Sequence, residues 1–258
     1  MNISLSIKLI FTASIFVVIF PWSNTAQSQL LDTRYEGPPS AEFHFARLAY
    51  ANAAGSRGRR RGAWTTDYPD AEYHLMNGIN RLTRLDGERV DYYGRGGRVI
   101  SLDDDRIFDY PWLYAVEVGQ WYLDTGEAAK LREYLDRGGF LMVDDFWDQY
   151  EWQVFTNSMQ RVFPDRPIVE LEEDHAVMRV SFDLDFSTQI PGRGGQRPGT
   201  APHWRGIFDD TGRLIVAINF NMDMGDAWEH ADDPSYPEPM TSLAYRFGVN
   251  YVIYSMTH

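Results

Sequence analysis

Two aspartates, Asp144 and Asp145, stand directly behind an unbroken apolar run at 140–143. Adjacent carboxylates there could hold a divalent ion or serve in acid/base work. They could equally spend their lone pairs on backbone amides and fix the shape of the turn. At a strand end one of the two can cap the next helix while the other faces a cleft. A second group, Asn221, Asp223, Asp226 and Glu229, offers oxygen ligands at intervals of 2, 3 and 3 residues. That suits calcium or magnesium, but the spacing and closing glutamate of an EF-hand are lacking, so the competing reading is a solvated acidic loop. His203 and His175 are the histidine candidates for catalysis. The first follows a Gly/Pro-rich stretch, and the second sits behind Glu172, Glu173 and Asp174, whose charges would raise its pKa. For both, an exposed or structurally bonded ring is the alternative. Trp64, Trp121, Trp147, Trp204 and Trp228 fall at expected strand ends or loops. Aromatic faces beside carboxylates suit sugar rings, although the same residues could be core anchors.

Elements must exist to position these groups. The 140–143 run is short and apolar, with helical patterns on both sides, which is how a strand buried on both faces reads. It is therefore expected at the centre of a parallel sheet, with ligands beyond the carboxyl ends of the strands. Ala71, Leu75, Ile79 and Leu82 repeat at helical spacing behind Pro69. Asp124 and Glu127 form a capping-box start for a helix with Ala128, Leu131 and Leu135 on one face, stopped by Gly138. Asp148 and Glu151 open a third helix that turns Trp152, Phe155, Met159 and Phe163 inward. Strands are expected at 43–50, 99–102, 112–118 and 213–220, and a closing helix at 241–256. The segment 168–186 is expected to be extended at its two ends around an acidic turn. The segment 190–202 reads as a long coil of the kind that forms a lid or binding loop, and 221–239 shows no period. Alternating strands and helices predict a three-layer α/β sandwich with a mostly parallel sheet, flavodoxin-like or class I amidotransferase-like.

The chain has 258 residues, a formal charge of −13 and no cysteine. The charge argues against nucleic acid as a partner. The missing cysteine excludes disulfides, zinc–thiolate sites and a cysteine nucleophile. No Gly-x-Ser-x-Gly elbow is present, which weighs against a serine hydrolase of the α/β-hydrolase type. Residues 1–28 read as a secretory signal: Lys8, a charge-free apolar run at 9–20, then Ala26-Gln27-Ser28 before Gln29. An uncleaved anchor, the one expected route to the membrane, is the alternative. Residues 29–41 read as a linker and 42–258 as one α/β domain. The basic stretch 57–61 could grip an anion or be a solvated loop.

Three stretches carry a resemblance: Trp-Thr-Thr-Asp-Tyr-Pro at 64–69, Leu-Arg-Glu-Tyr-Leu-Asp-Arg-Gly-Gly-Phe-Leu-Met-Val-Asp-Asp at 131–145, and Arg-Phe-Gly-Val-Asn-Tyr at 246–251. With the Gly-Arg-Leu strand at 212–214 and Trp228, they resemble the DUF4159 domains over roughly 43–258. The resemblance implies a fold like that of class I glutamine amidotransferases and trehalose-utilisation-like proteins. Through gene neighbourhoods with MoxR-type ATPases and von Willebrand A-type membrane proteins, it also implies a role in envelope assembly. Two departures matter. There is no cysteine for glutamine hydrolysis, and Gly119-Gln120 stands where relatives often carry Gly-His. The candidate ligand-binding residues are Trp64, Asp67, Gln120, Trp147, Trp204 and Trp228, and no cofactor is expected. The resulting expectation is a periplasmic or secreted module that binds a ligand or an envelope partner, a protein or a glycan, without chemistry of its own. The alternative is a carboxylate- or metal-dependent hydrolase acting on an envelope glycan or peptide.

Overall fold

The computed structural model describes residues 39–54, 62–184, 187–197 and 199–258. The signal-like segment and the arginine stretch 57–61 lie outside the described residues. In chain order the strands are β1 (Ala46–Ala49), β2 (Ala51–Asn52), β3 (Arg98–Ser101), β4 (Trp112–Val116), β5 (Trp121–Tyr122), β6 (Phe140–Phe146), β7 (Val169–Glu170), β8 (His203–Phe208) and β9 (Leu214–Phe220). The helices are α1 (Asp70–Leu82), α2 (Thr125–Asp136), α3 (Asp148–Val162), α4 (Met224–Glu229) and α5 (Glu238–Thr257).

β6 is buried at all seven residues and lies at the centre of a seven-stranded sheet of order β3-β1-β4-β6-β9-β8-β7. The first five strands of that order run parallel, and β8 and β7 add antiparallel at one edge. β2 and β5 form a separate two-stranded ladder. Strand alternation divides the core into two layers. Leu113, Ala115, Leu141 and Val143 pack with Leu131 and Leu135 of α2 and Phe155 and Met159 of α3. Trp112, Tyr114, Phe140 and Met142 pack on the opposite face with Leu75 and Ile79 of α1, Trp228 of α4 and Phe247 of α5. The molecule is a three-layer α/β sandwich. Each large apolar side chain in these layers contributes about 1.5–3 kcal/mol by leaving water.

Local signals account for the long elements. Asp124 and Glu127 close a reciprocal capping box on α2, and Gly138 adopts φ +104° directly after it. The short elements behave differently. α4 stands inside the segment that shows no period, because six residues are too few for a 3.6-residue repeat to register. Of 168–186, only Val169–Glu170 is extended as a ladder, and the rest of its described residues form turns and irregular coil around a short 3₁₀ turn at Ala176–Met178. β8 is a strand the pattern does not announce, since its burial alternates imperfectly at an antiparallel edge. No helix among the described residues is long and apolar enough to cross a membrane.

Candidate functional site

Above the carboxyl ends of β4, β6 and β9 lies an open cavity of about 620 Å³. Its walls carry six carboxylates: Asp67, Glu117, Asp145, Asp223, Asp226 and Glu229. Arg193, Arg197 and His230 are its basic residues. Each wall has an identifiable origin. Asp67 lies within the turn ahead of α1, Glu117 follows β4, Asp145 sits near the end of β6, and Asp223 caps α4 by accepting the Asp226 amide at 2.8 Å.

The backbone bends sharply to present these groups. Among the described residues, the non-glycines with positive φ are Asp67, Glu117, Asp145, Asp148 and Asn221, and the first three line the cavity. Such angles cost roughly 1–2 kcal/mol each and persist only where surrounding contacts impose them. For Asp145 the contacts are visible. The register between β6 and β9 shifts between Val143 and Phe146, the Asp145 amide donates to Met222 O at 3.1 Å, and Trp147 Nε1 donates to Asp145 Oδ1 at 2.7 Å. For Asp67 the support is Arg47, buried on β1. Its guanidinium grips Glu72 of α1 and donates to Trp64 O at 3.0 Å and Thr66 O at 2.8 Å, so it pins the turn that carries Asp67. Gly225 and Gly192 allow close approach: a Cβ on Gly225 would stand 2.1 Å from Asp67 Oδ2, and one on Gly192 would stand 2.8 Å from Asp223 Oδ2.

Burial and mutual repulsion make the set reluctant to ionise. Burial, then the Asp145 charge, pushes Glu117 up to about 8. Asp67 and Asp223 are held well above the carboxylate range for the same two reasons. Burial also raises Asp145 to about 6, against the pull of the Trp147 hydrogen bond. Two contacts in the cavity join carboxyl to carboxyl, Asp67 to Glu229 and Asp145 to Asp223. Such a pair needs a shared proton or a cation between its oxygens.

The two central aspartates part company. Asp144 lies behind the cavity, its Oδ2 accepting the amides of Met224 at 2.7 Å and Gly225 at 3.0 Å and the Tyr114 hydroxyl at 3.3 Å. Asp145 lies in the cavity wall. Within the acidic group at 221–229, Asp223, Asp226 and Glu229 reach the cavity. Asn221 does not, because it ties loops together, accepting the Asp148 amide and donating to Ala201 O. Gln120 donates to Glu117 Oε2 from outside the wall. The described part of the 190–202 loop covers the opening, with Arg193 N donating to Asp226 Oδ2 at 2.6 Å and Arg197 4.2 Å from the Trp147 ring centre.

Three expectations need correction. His203 lies on β8, paired with Glu170 at 3.0 Å and stacked on Phe220, away from the cavity. His175 caps the short turn at Ala176–Met178, and burial lowers its pKa despite Asp174. Trp64, Trp121, Trp147, Trp204 and Trp228 are each at most 3 % exposed, so none offers a ring face for a sugar in this conformation. Glu117, Arg47, Arg193 and Arg197 were not singled out by sequence reasoning. For Glu117 a signal existed, since it follows an apolar run just as Asp144 follows 140–143.

A family profile described as a domain of unknown function (DUF4159) matches residues 44–256. The chain belongs to the DUF4159 family. The match spans every wall of the cavity, so the acidic cleft lies wholly within the DUF4159 region. Among curated proteins, none matches the chain.

Proposed function

We propose that this DUF4159 protein is an exported module that works by capturing a positively charged ligand in its acidic cleft, for an envelope partner or from the envelope itself. It makes and breaks no bonds of its own. One observation supports the reading above all: six carboxylates from four separate stretches of chain converge on one cavity at the strand ends. A cation is the species that relieves their mutual repulsion. Among the described residues the walls hold no open aromatic face, which turns the reading from a sugar ring toward an ammonium group or a metal ion.

Isothermal titration with spermidine, a linear triamine, tests this reading. Saturable binding is expected, weakened at least about tenfold by Asp145→Asn or Glu117→Gln through loss of a close charge. A cleft that takes up neither spermidine nor any metal ion sinks the proposal. One observation favours the hydrolase instead: Asp145 and Glu117 are raised to different values near neutrality, as an acid and a base would be. Release of reducing ends or free amines from peptidoglycan by the wild type, lost in Asp145→Asn, would decide for it.

A further inference from the structure

The cleft carries more detail than its overall charge. Asp67, Asp223 and Asp226 each bring an oxygen to one spot, and the three oxygens lie within 4.8 Å of one another. Two oxygens bound to one ion at about 2.1 Å for magnesium or 2.5 Å for calcium stand at most about 4–5 Å apart. The observed spread is that of a coordination shell.

An independent feature points the same way. Asp67 is 5 % exposed, yet its Oδ2 accepts no hydrogen bond among the described residues. A buried carboxylate oxygen without a donor loses its water and gains nothing in exchange. The fold nevertheless holds it in place with a positive φ, a buried arginine strut and a glycine that leaves room beside it. The other two groups are oriented by single anchors. Asp223 Oδ1 accepts the Asp226 amide, and Asp226 Oδ2 accepts the Arg193 amide. His230 Nε2 stands 3.7 Å from Asp226 Oδ1 on the outer side.

We propose that Asp67, Asp223 and Asp226 hold a hard divalent cation, of the magnesium, manganese or calcium class, in the floor of the cleft. The donors are all carboxylate oxygens, which select hard ions over the softer ions that prefer thiolate or imidazole. The remaining cavity lets water or an oxygen of a further ligand complete the shell. Arg193 and Arg197 on the covering loop face the same space. This inference rests on the cationic-ligand reading and specifies the cation.

The test uses the full chain, stripped with chelator and titrated with Mn²⁺. Free ion is followed by electron paramagnetic resonance, with Mg²⁺ and Ca²⁺ as competitors. One saturable site per chain is expected. Asp67→Asn and Asp226→Asn should each weaken it at least about tenfold, while Asp210→Asn, on an exposed residue, leaves it unchanged. Asp226 is only half-buried, and asparagine can still accept the Arg193 amide, so this variant decides the matter if Asp67→Asn fails to fold. Absence of saturable uptake overturns the site, as does uptake indifferent to both substitutions. Spermidine binding without metal uptake removes the metal site alone and leaves the broader reading standing. Loss of both removes both.

Discussion

Two hollows among the described residues are of comparable size, and only one of the two is built like a site. The acidic cleft encloses about 620 Å³; the other, between α1, α5 and the 231–232 turn, encloses about 500 Å³. The second is lined by Tyr73, His74, Asn77, Arg81, Leu82 and Tyr245, residues on the outward faces of regular helices. No described non-glycine residue there has a positive φ. Volume alone therefore distinguishes nothing. What separates the cleft is the combination of strained backbone, buried charge and contacts drawn from distant parts of the chain. α1 serves both regions: its inward Glu72 holds the strut behind Asp67, while its outward residues line a surface hollow.

The sharpest way to break this contrast is to remove the strut. Glu72→Gln leaves Arg47 buried without its counter-charge, which should cost about 3–5 kcal/mol in urea unfolding and abolish cation uptake through loss of the Asp67 turn. A loss no larger than that of Asn77→Ala in the second hollow would show that the strut is ordinary. Next in size is the pair at the end of β6. Asp144→Ala should cost about 1–3 kcal/mol, because two buried amides lose their acceptor. Asp145→Asn should change stability by about 0.5 kcal/mol or less, or raise it, since the lost charge is one the cavity resists. If Asp145→Asn proves the costlier, the roles of the two are exchanged.

The response to pH is the most telling, because the two hollows should respond with opposite signs. Burial raises Glu117 in the cleft wall, and Asp144 behind it, to about 8, so the folded state binds their protons more tightly than the unfolded chain does. Their contribution is complete below the ordinary carboxylate value and is lost as pH rises toward about 8. Burial lowers the pKa of His74 in the second hollow, so its contribution is present above the usual histidine value and lost as pH falls. Melting in chelator should therefore show a midpoint falling between pH 5 and pH 8. Glu117→Gln should flatten that fall, and His74→Gln should flatten only the acid side. A midpoint that rises across this range would contradict the assignment of the cleft carboxyls.

The same division separates the features legible in the sequence from those that are not. The central strand, the α2 capping box and the long helices are local: each rests on residues within a few positions of one another. Their signals survive in the chain as written. The cleft is not local. Asp67 is brought beside Gly225 by Arg47 and Glu72, which belong to two other elements, and neither residue stands out among its neighbours in sequence. The acidic group at 221–229 is visible in the sequence, but its orientation depends on α4, a helix too short to announce itself. Whether Asp144 or Asp145 turns toward the cleft depends on a register shift against β9, a strand some 70 residues further on. For the tryptophans, chemistry alone suggests open ring faces, whereas packing consumes them.

One of those buried tryptophans gives the cleft an optical consequence. The Trp147 indole donates to Asp145 on its edge and carries the Arg197 guanidinium over its face. The chromophore is thus wedged between a carboxyl that changes charge and a cation on the covering loop. A change in either displaces the electric field along the ring and shifts its absorption band. Trp64, Trp121, Trp204 and Trp228 belong to the apolar layers and are not in the wall of the cleft. An ultraviolet difference spectrum, occupied minus unoccupied, should therefore carry the band shift of Trp147.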